Sequence, residues 1–331
     1  MVANTEIKEK NNRTSFLKRL VQIDEIGVLG SFVLICVLLA VSTEHFAEVG
    51  NVLAVIRQAS YYGMMAVGMV FVIAQGDIDL SVGSLYNLVT MTLAFACQNG
   101  MPVNFVIPLG LLMGALFGFV NGALSILLKI PMIIVTLGTT TIYGGLSLVV
   151  GAGSSLSKFP KDNWFFDTFS GKLFGVVPAS VVMLIVLAII GYILFNHTTY
   201  GRYTCAIGAN KQAAKFAGIN IELYRLITMT FSGICAGIAG IGIFGFLKAA
   251  DPSVGKGSEM MAISAAIIGG ASLAGGAGSI VGAILGALII SVIRNGMVLM
   301  GVNVYWQGVV TGATIILAVA LDYIIKRRRG S

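Results

Sequence analysis

The 331-residue chain carries 57% hydrophobic and only 11% charged side chains, with a mean hydropathy of +0.93 and a formal net charge of +7. This composition excludes a soluble globular domain and predicts an all-α polytopic integral membrane protein. The positive balance calls for no nucleic-acid partner, because basic inner loops facing anionic membrane lipid account for it.

A bilayer core about 30 Å thick takes about 20 apolar residues per helix. In chain order, spans are predicted over Ile26–Val41, Tyr61–Gln75, Phe105–Leu128, Met132–Gly151, Val177–Phe195, Ile227–Leu247, Ile280–Met300 and Trp306–Ile325. Two further stretches, Leu80–Cys97 and Met260–Leu273, are short and broken by glycine or polar residues, which brings the total to 8 to 10 transmembrane helices, with 10 the preferred count. Ser42, Thr43 and Glu44 follow the first stretch without a small-x-small pattern, so it reads as a retained span and not a cleaved signal. The chain divides into a tail over 1–25, a transmembrane domain over 26–325 and a basic tail over 326–331.

Orientation follows from Lys and Arg, which gather in short cytoplasmic loops. With both termini inside, 14 fall on the inner side (Lys8, Lys10, Arg13, Lys18, Arg19, Lys129, Arg202, Lys211, Lys215, Arg225 and Lys326 to Arg329) and 6 on the outer (Arg57, Lys158, Lys161, Lys172, Lys248 and Lys256). Two doubled GxxxG rows, Gly114, Gly118, Gly122 and Gly278, Gly282, Gly286, read as seams where helix backbones approach closely.

Two glycine-rich breaks, GDIDLSVGS (Gly76–Ser84) and GGASLAGGAGS (Gly269–Ser279), interrupt the apolar pattern near the cytoplasmic side. Broken backbone at membrane depth must be satisfied by protein or by a water-filled cavity, so both mark the interior. Their similar make-up points to two related halves. Asp79 precedes Leu80 and Ser81 in a fair position to cap the next helix, and Glu259, Arg294 and Asp322 sit near span ends where side chains snorkel. For a passing polar solute the candidate pathway residues are Asp77, Asp79, Asn87, Asn121, Thr139 and Tyr143, with back-bonding to their own helices as the competing role of the threonines. The outer loop Gly151–Val176 mixes Lys158, Lys161 and Asp162 with Trp164, Phe165 and Phe166, as a contact surface does.

Between two spans lies one polar segment, His197 to Leu226, centred on GANKQAAKFAGIN. A short helix around Ala213, Ala214, Lys215, Phe216 and Ala217, bounded by Gly208 and Gly218, makes a compact basic rod suited to a partner's groove. No G-x-x-x-x-G-K-[ST] pattern occurs, so the chain has no phosphate cradle of that type. Neither a nucleophile–base set nor Cys or His at metal-ligand spacing stands out, and a non-enzyme without metal or cofactor is expected.

GDIDLSVGS, GRYTCAIGANKQAAKFAGIN, SAAIIGGASLAGGAGSIVGAILGALI and GVNVYWQGVVTGATIILAVALD together resemble the membrane permease of bacterial ABC monosaccharide importers, the ribose, arabinose, galactose and xylose type, over about Val28 to Asp322. The resemblance implies an inner-membrane permease that pairs with a second permease chain, receives sugar from a periplasmic binding protein and is driven by a separate ATPase subunit that binds the ATP. It also implies that Gly208, Asn210, Ala213, Ala214, Lys215, Gly218 and Ile219 form the coupling helix held by that ATPase. The alternative, an ion-coupled secondary transporter, would place ionisable groups in mid-span, whereas the sequence puts nearly all of them at span ends.

Overall fold

The computed structural model describes residues 24–173 and 175–303, together with 306, 308–310, 312, 313 and 316. Most of the predicted last span, Asp322 and both terminal tails lie outside the described residues, apart from the first residues of α1. The helices are α1 (Asp24–Ser42), α2 (Val49–Ala74), α3 (Val82–Gln98), α4 (Val106–Leu128, entered through a 3-10 turn at Val103–Phe105) and α5 (Met132–Val150). After the short α6 (Trp164–Ser170) and a two-residue hairpin of β1 (Lys172–Leu173) against β2 (Val177–Pro178) come α7 (Ala179–His197), α8 (Thr199–Ala209) and α9 (Lys211–Phe216). The series ends with α10 (Ile221–Leu247), α11 (Ser258–Ile268) and α12 (Ile280–Leu299). Five of them (α4, α5, α7, α10 and α12) are long and apolar enough to cross a bilayer.

α2 is the axis of the fold. From Met64 to Ala74 its side chains are buried, and it packs against α7, α10, α11 and α12. It begins at Val49, well before the predicted Tyr61, because Arg57, Gln58 and Ser60 end the apolar run without ending the helix. Ser60 Oγ is satisfied within the helix by donating to the Ile56 carbonyl (2.7 Å). α5 and α7 sit at the periphery and turn Ile134, Leu137, Ile142, Ile185 and Ile189 outward, a face suited to lipid.

Both glycine rows are seams. Gly114 and Gly118 on α4 lie against the backbone of Gly233 and Met229 on α10, and Gly282 and Gly286 on α12 lie against Gly269 and Ala265 beside and on α11. An added Cβ at any of the four meets a carbonyl, so the small residues are what allow the approach.

The two short stretches are not simple spans. α3 begins midway along the bundle, where Ser232, near the centre of α10, donates to Asp79 (3.0 Å). α11 has 11 residues, about 16 Å at 1.5 Å rise each, half a bilayer. The connection before it, Lys248–Gly257, dips inward instead of lying as an outer loop, so that Asn87 Nδ2 on α3 donates to the Pro252 carbonyl (2.7 Å). α2 runs toward the α9 end, the chain breaks, and α3 runs back; α10 runs away from the α9 end, the chain breaks, and α11 returns. The two units are inverted copies in topology.

The sequence marks this inversion at a place different from the expected one. Asp79-Leu80-Ser81-Val82-Gly83 at the first break matches Asp251-Pro252-Ser253-Val254-Gly255 in the connection between α10 and α11, rather than the GGASLAGGAGS run of the second break. In each, the aspartate Oδ1 accepts from the serine N–H two residues on (2.9 Å at Ser81, 2.8 Å at Ser253) and from its hydroxyl. The two turns meet at Gly83 and Gly255, where a Cβ on Gly255 would collide with the Gly83 carbonyl.

Candidate functional site

The polar insert folds as two helices. α8 runs through Gly208 to Ala209, so the expected break at Gly208 is replaced by one at Asn210, whose side chain accepts from the Ala213 N–H (3.0 Å) and caps α9. α9 closes on Gly218 at φ +81°, with Gly218 N–H on the Lys215 carbonyl and Ile219 N–H on the Ala214 carbonyl, a Schellman stop. Asn220 then caps α10 at Leu223 (3.1 Å).

Gly208 holds the insert to the membrane helices. It lies against the end of α2 and the second break: a Cβ there would collide with the Ala74 carbonyl, itself the acceptor for Gly276 N–H (2.8 Å). Gly275, at φ +79°, approaches the Gly208 carbonyl from the other side. Both breaks and the insert therefore share one backbone junction. Beside it Arg225, one turn into α10, binds Asp77 through Nε (2.8 Å) and Nη2 (2.9 Å), a bidentate pair that ties α10 to the first break. Asp77, Lys129, Lys211, Lys215, Glu222 and Arg225 line an open groove of about 670 Å³ at this end.

On α9 the expected coupling residues separate. Ala214 is buried within the chain at 4% exposure and is unavailable to a partner; Asn210, Ala213, Lys215 and Gly218 are exposed, Ile219 partly so, and Phe216 projects at 90%. The exposed face is thus apolar at its tip and basic at its sides.

Three of the expected pathway residues fall in one buried chain of hydrogen bonds midway along the bundle. Tyr143 Oη donates to Asn121 Oδ1 (2.8 Å), Asn121 Nδ2 to Ser81 Oγ (2.7 Å), and Ser81 Oγ to Asp79 Oδ1 (2.6 Å). Ser81, not Asp79, occupies the cap position of α3. Asn87 lies apart, beneath Pro252, with its Oδ1 unpaired among the described residues. Thr139 is buried on α5 and turns back toward the Thr136 carbonyl (3.4 Å). The network welds α3, α4, α5 and α10 where α3 starts.

The match with known proteins follows the same extent of chain. Residues 51–319 match the family described as the permease component of the branched-chain amino acid transport system. The chain belongs to this permease family. It is 34% identical to a probable ABC transporter permease protein of Sinorhizobium fredii (93% of this chain, 91% of the relative). It is 35% identical to the D-allose transport system permease protein of Escherichia coli (90% and 92%) and 36% identical to the ribose import permease protein of Bacillus subtilis (89% and 91%). No solved structure matches it. The permease is a multi-pass inner-membrane protein from a family of transport components and not of enzymes, and its relatives include the sugar permeases that the four motifs resemble.

Two features of the permease escape sequence reading. Phe165 and Phe166 of the outer loop are fully buried against Phe159 and Phe244, leaving Trp164 as the exposed aromatic there, its Nε1 donating to Asn104 Oδ1 (2.8 Å). Glu259 and Arg294 do not snorkel: Glu259 starts α11 against Gly83, and Arg294 donates to the Tyr62 hydroxyl between α12 and α2.

Proposed function

We propose that the chain is the membrane subunit of an ABC importer that carries a monosaccharide inward, fed by a periplasmic binding protein and driven by a separate ATPase gripping the exposed face of α9. The observation that carries this reading is the shared junction at Gly208. A displacement of α9 acts on α8, and α8 acts through rigid backbone contact on the end of α2 and on the Gly269–Ser279 break at once. Work done on a stub of 6 residues thus reaches the two places where the membrane helices are interrupted.

In this reading the chain makes ten crossings with both termini in the cytoplasm and pairs with a second permease chain, the peripheral apolar faces of α5 and α7 meeting lipid. Asp77 with Arg225 acts as a latch at the inner end, and the Asp79 network pins the broken helix at mid-depth. Asp79 stands where an ion-coupled carrier would keep its titrating group, but its two oxygens are taken by Ser81 and Ser232. It is a fixed pin.

Phe216→Glu tests the coupling role, because a side chain 90% exposed can be changed without disturbing the fold. The expected result is about a tenfold or larger drop in ATPase retained on the purified permease, with unchanged thermal unfolding. Unaltered ATPase retention and sugar uptake would overturn the assignment.

A further inference from the structure

A second cavity, about 390 Å³, opens at the end opposite α9 between α2, α3, α10, α11 and α12. Ala54 stands exposed at its mouth, and Tyr62 lies about 12 Å farther along α2. Its floor is where both broken helices begin: Tyr86 is one turn into α3, and Ser258 is the first residue of α11. The contact of the two turns at Gly83 and Gly255 adjoins these residues in the chain. None of the six residues expected along the pathway contributes to the lining.

The floor carries the telling chemistry. Tyr86 is 4% exposed and Ser258 5%, yet among the described residues neither hydroxyl has a hydrogen-bond partner. Both residues border the cavity, so both hydroxyls are left to bond whatever enters it. Tyr61 and Tyr62, 6% and 8% exposed, place two more rings in the wall, with Ile243 and Val254 as apolar neighbours.

The arginines of the lining are already engaged. Arg57 is held with its guanidinium 4.1 Å above the Phe246 ring, and Arg294 donates to the Tyr62 hydroxyl, which also accepts from Gln58 Nε2 (3.3 Å). Neither calls for a charge on the ligand. Among the described lining residues there is no carboxylate either, so a cationic solute finds no counter-charge.

Tyrosine rings beside free hydroxyls match a neutral sugar, whose C–H face packs on aromatic rings while its rim bonds hydroxyls. The volume lies near the lower end of the range of about 300–1,000 Å³ common for small-ligand sites, which suits one sugar ring. We propose that this cavity is a holding site for one neutral monosaccharide within a single permease chain, with Tyr86 Oη and Ser258 Oγ bonding its hydroxyls. The inference deepens the importer reading on which it rests, because the sugar then sits against the starts of both interrupted helices.

The test uses the purified full-length permease in phosphatidylcholine nanodiscs, with D-ribose and D-allose titrated by saturation-transfer NMR against cyclohexanol and D-ribonate. The expected result is binding of at least one sugar with a Kd of about 1–10 mM, in preference to both comparators. Tyr86→Phe and Ser258→Ala, each removing one hydroxyl, should weaken it about threefold to tenfold, and Ala54→Trp, a change at an exposed position, should abolish it by closing the mouth. No transfer to either sugar, or binding indifferent to all three substitutions, overturns the inference. Cyclohexanol bound as well as sugar makes the cavity merely apolar, and a preference for ribonate makes it an anion site; either outcome overturns the assignment. Should a hydroxyl variant fail to fold, as read by thermal unfolding, Ala54→Trp alone decides. ATPase retention, read on the same preparation, keeps the two readings separate: a permease that holds its ATPase but ignores both sugars defeats only this inference.

Discussion

The turns at Asp79 and Asp251 share a sequence, a hydrogen-bond pattern and a place in the two inverted units, yet their surroundings divide them. Asp79 is 1% exposed and its carboxylate continues into Ser232, with Ser81 leading on to Asn121 and Tyr143. Asp251 is partly exposed and reaches no farther than Ser155 on the neighbouring loop. The same local device therefore serves as an anchor in one unit and as an outer clasp in the other. An inverted repeat can keep its turn while only one copy is wired into the core, so the copies should differ in what their loss does.

The change that strikes both turns together comes first. Gly255→Val places a branched side chain against the Gly83 carbonyl, where neither backbone can retreat, and is expected to destabilise by upward of about 3 kcal/mol. Little folded protein should elute from a sizing column; a normal yield and unfolding temperature would mean that the turns do not need to touch. Next, Asp79→Ala removes one acceptor and strands the Ser81 and Ser232 hydroxyls in a buried site, with an expected loss of about 2–3 kcal/mol. Thermal unfolding in detergent measures it, and a loss no larger than that of Asp251→Ala would erase the distinction.

The smallest effect is that of Asp251→Asn. The Ser155 hydroxyl and then the Ser253 hydroxyl and N–H hold the Asp251 carboxyl below the ordinary carboxylate range. A carboxyl whose folded value is lowered stabilises fully above its unfolded value, about 4, and loses that contribution as pH falls through the folded value. The unfolding temperatures of the native chain and of Asp251→Asn should therefore converge on acidification; a gap that stays constant with pH would leave the carboxylate's charge without a role.

Much of this architecture is legible in the chain. Long apolar runs give α4, α5, α7, α10 and α12, the GxxxG rows give the seams, and the four motifs give the family. What is not legible depends on partners distant in sequence. The first turns of α2 look polar because Arg57 and Gln58 are matched by a cavity completed some 230 residues later by Arg294. Ala214 looks like a contact face until α9 is laid on its neighbours and turns it inward. The second D-x-S-V-G turn was visible as letters, but only its contact with the first shows that it enters the bundle. α8 has low hydropathy, and its helix is secured by the Gly208 contact as much as by its own residues.

The enclosure of α2 carries a consequence for how the molecule is made. A helix of 26 residues that is not among the five long and apolar enough to cross a bilayer on their own has little reason of its own to remain in lipid, and all four helices that surround it leave the ribosome after it does. During synthesis it must wait, shielded by the insertion machinery or by a chaperone, until α12 arrives. Chains truncated before α10 should then be recognised by membrane quality control through an unclad methionine-rich segment.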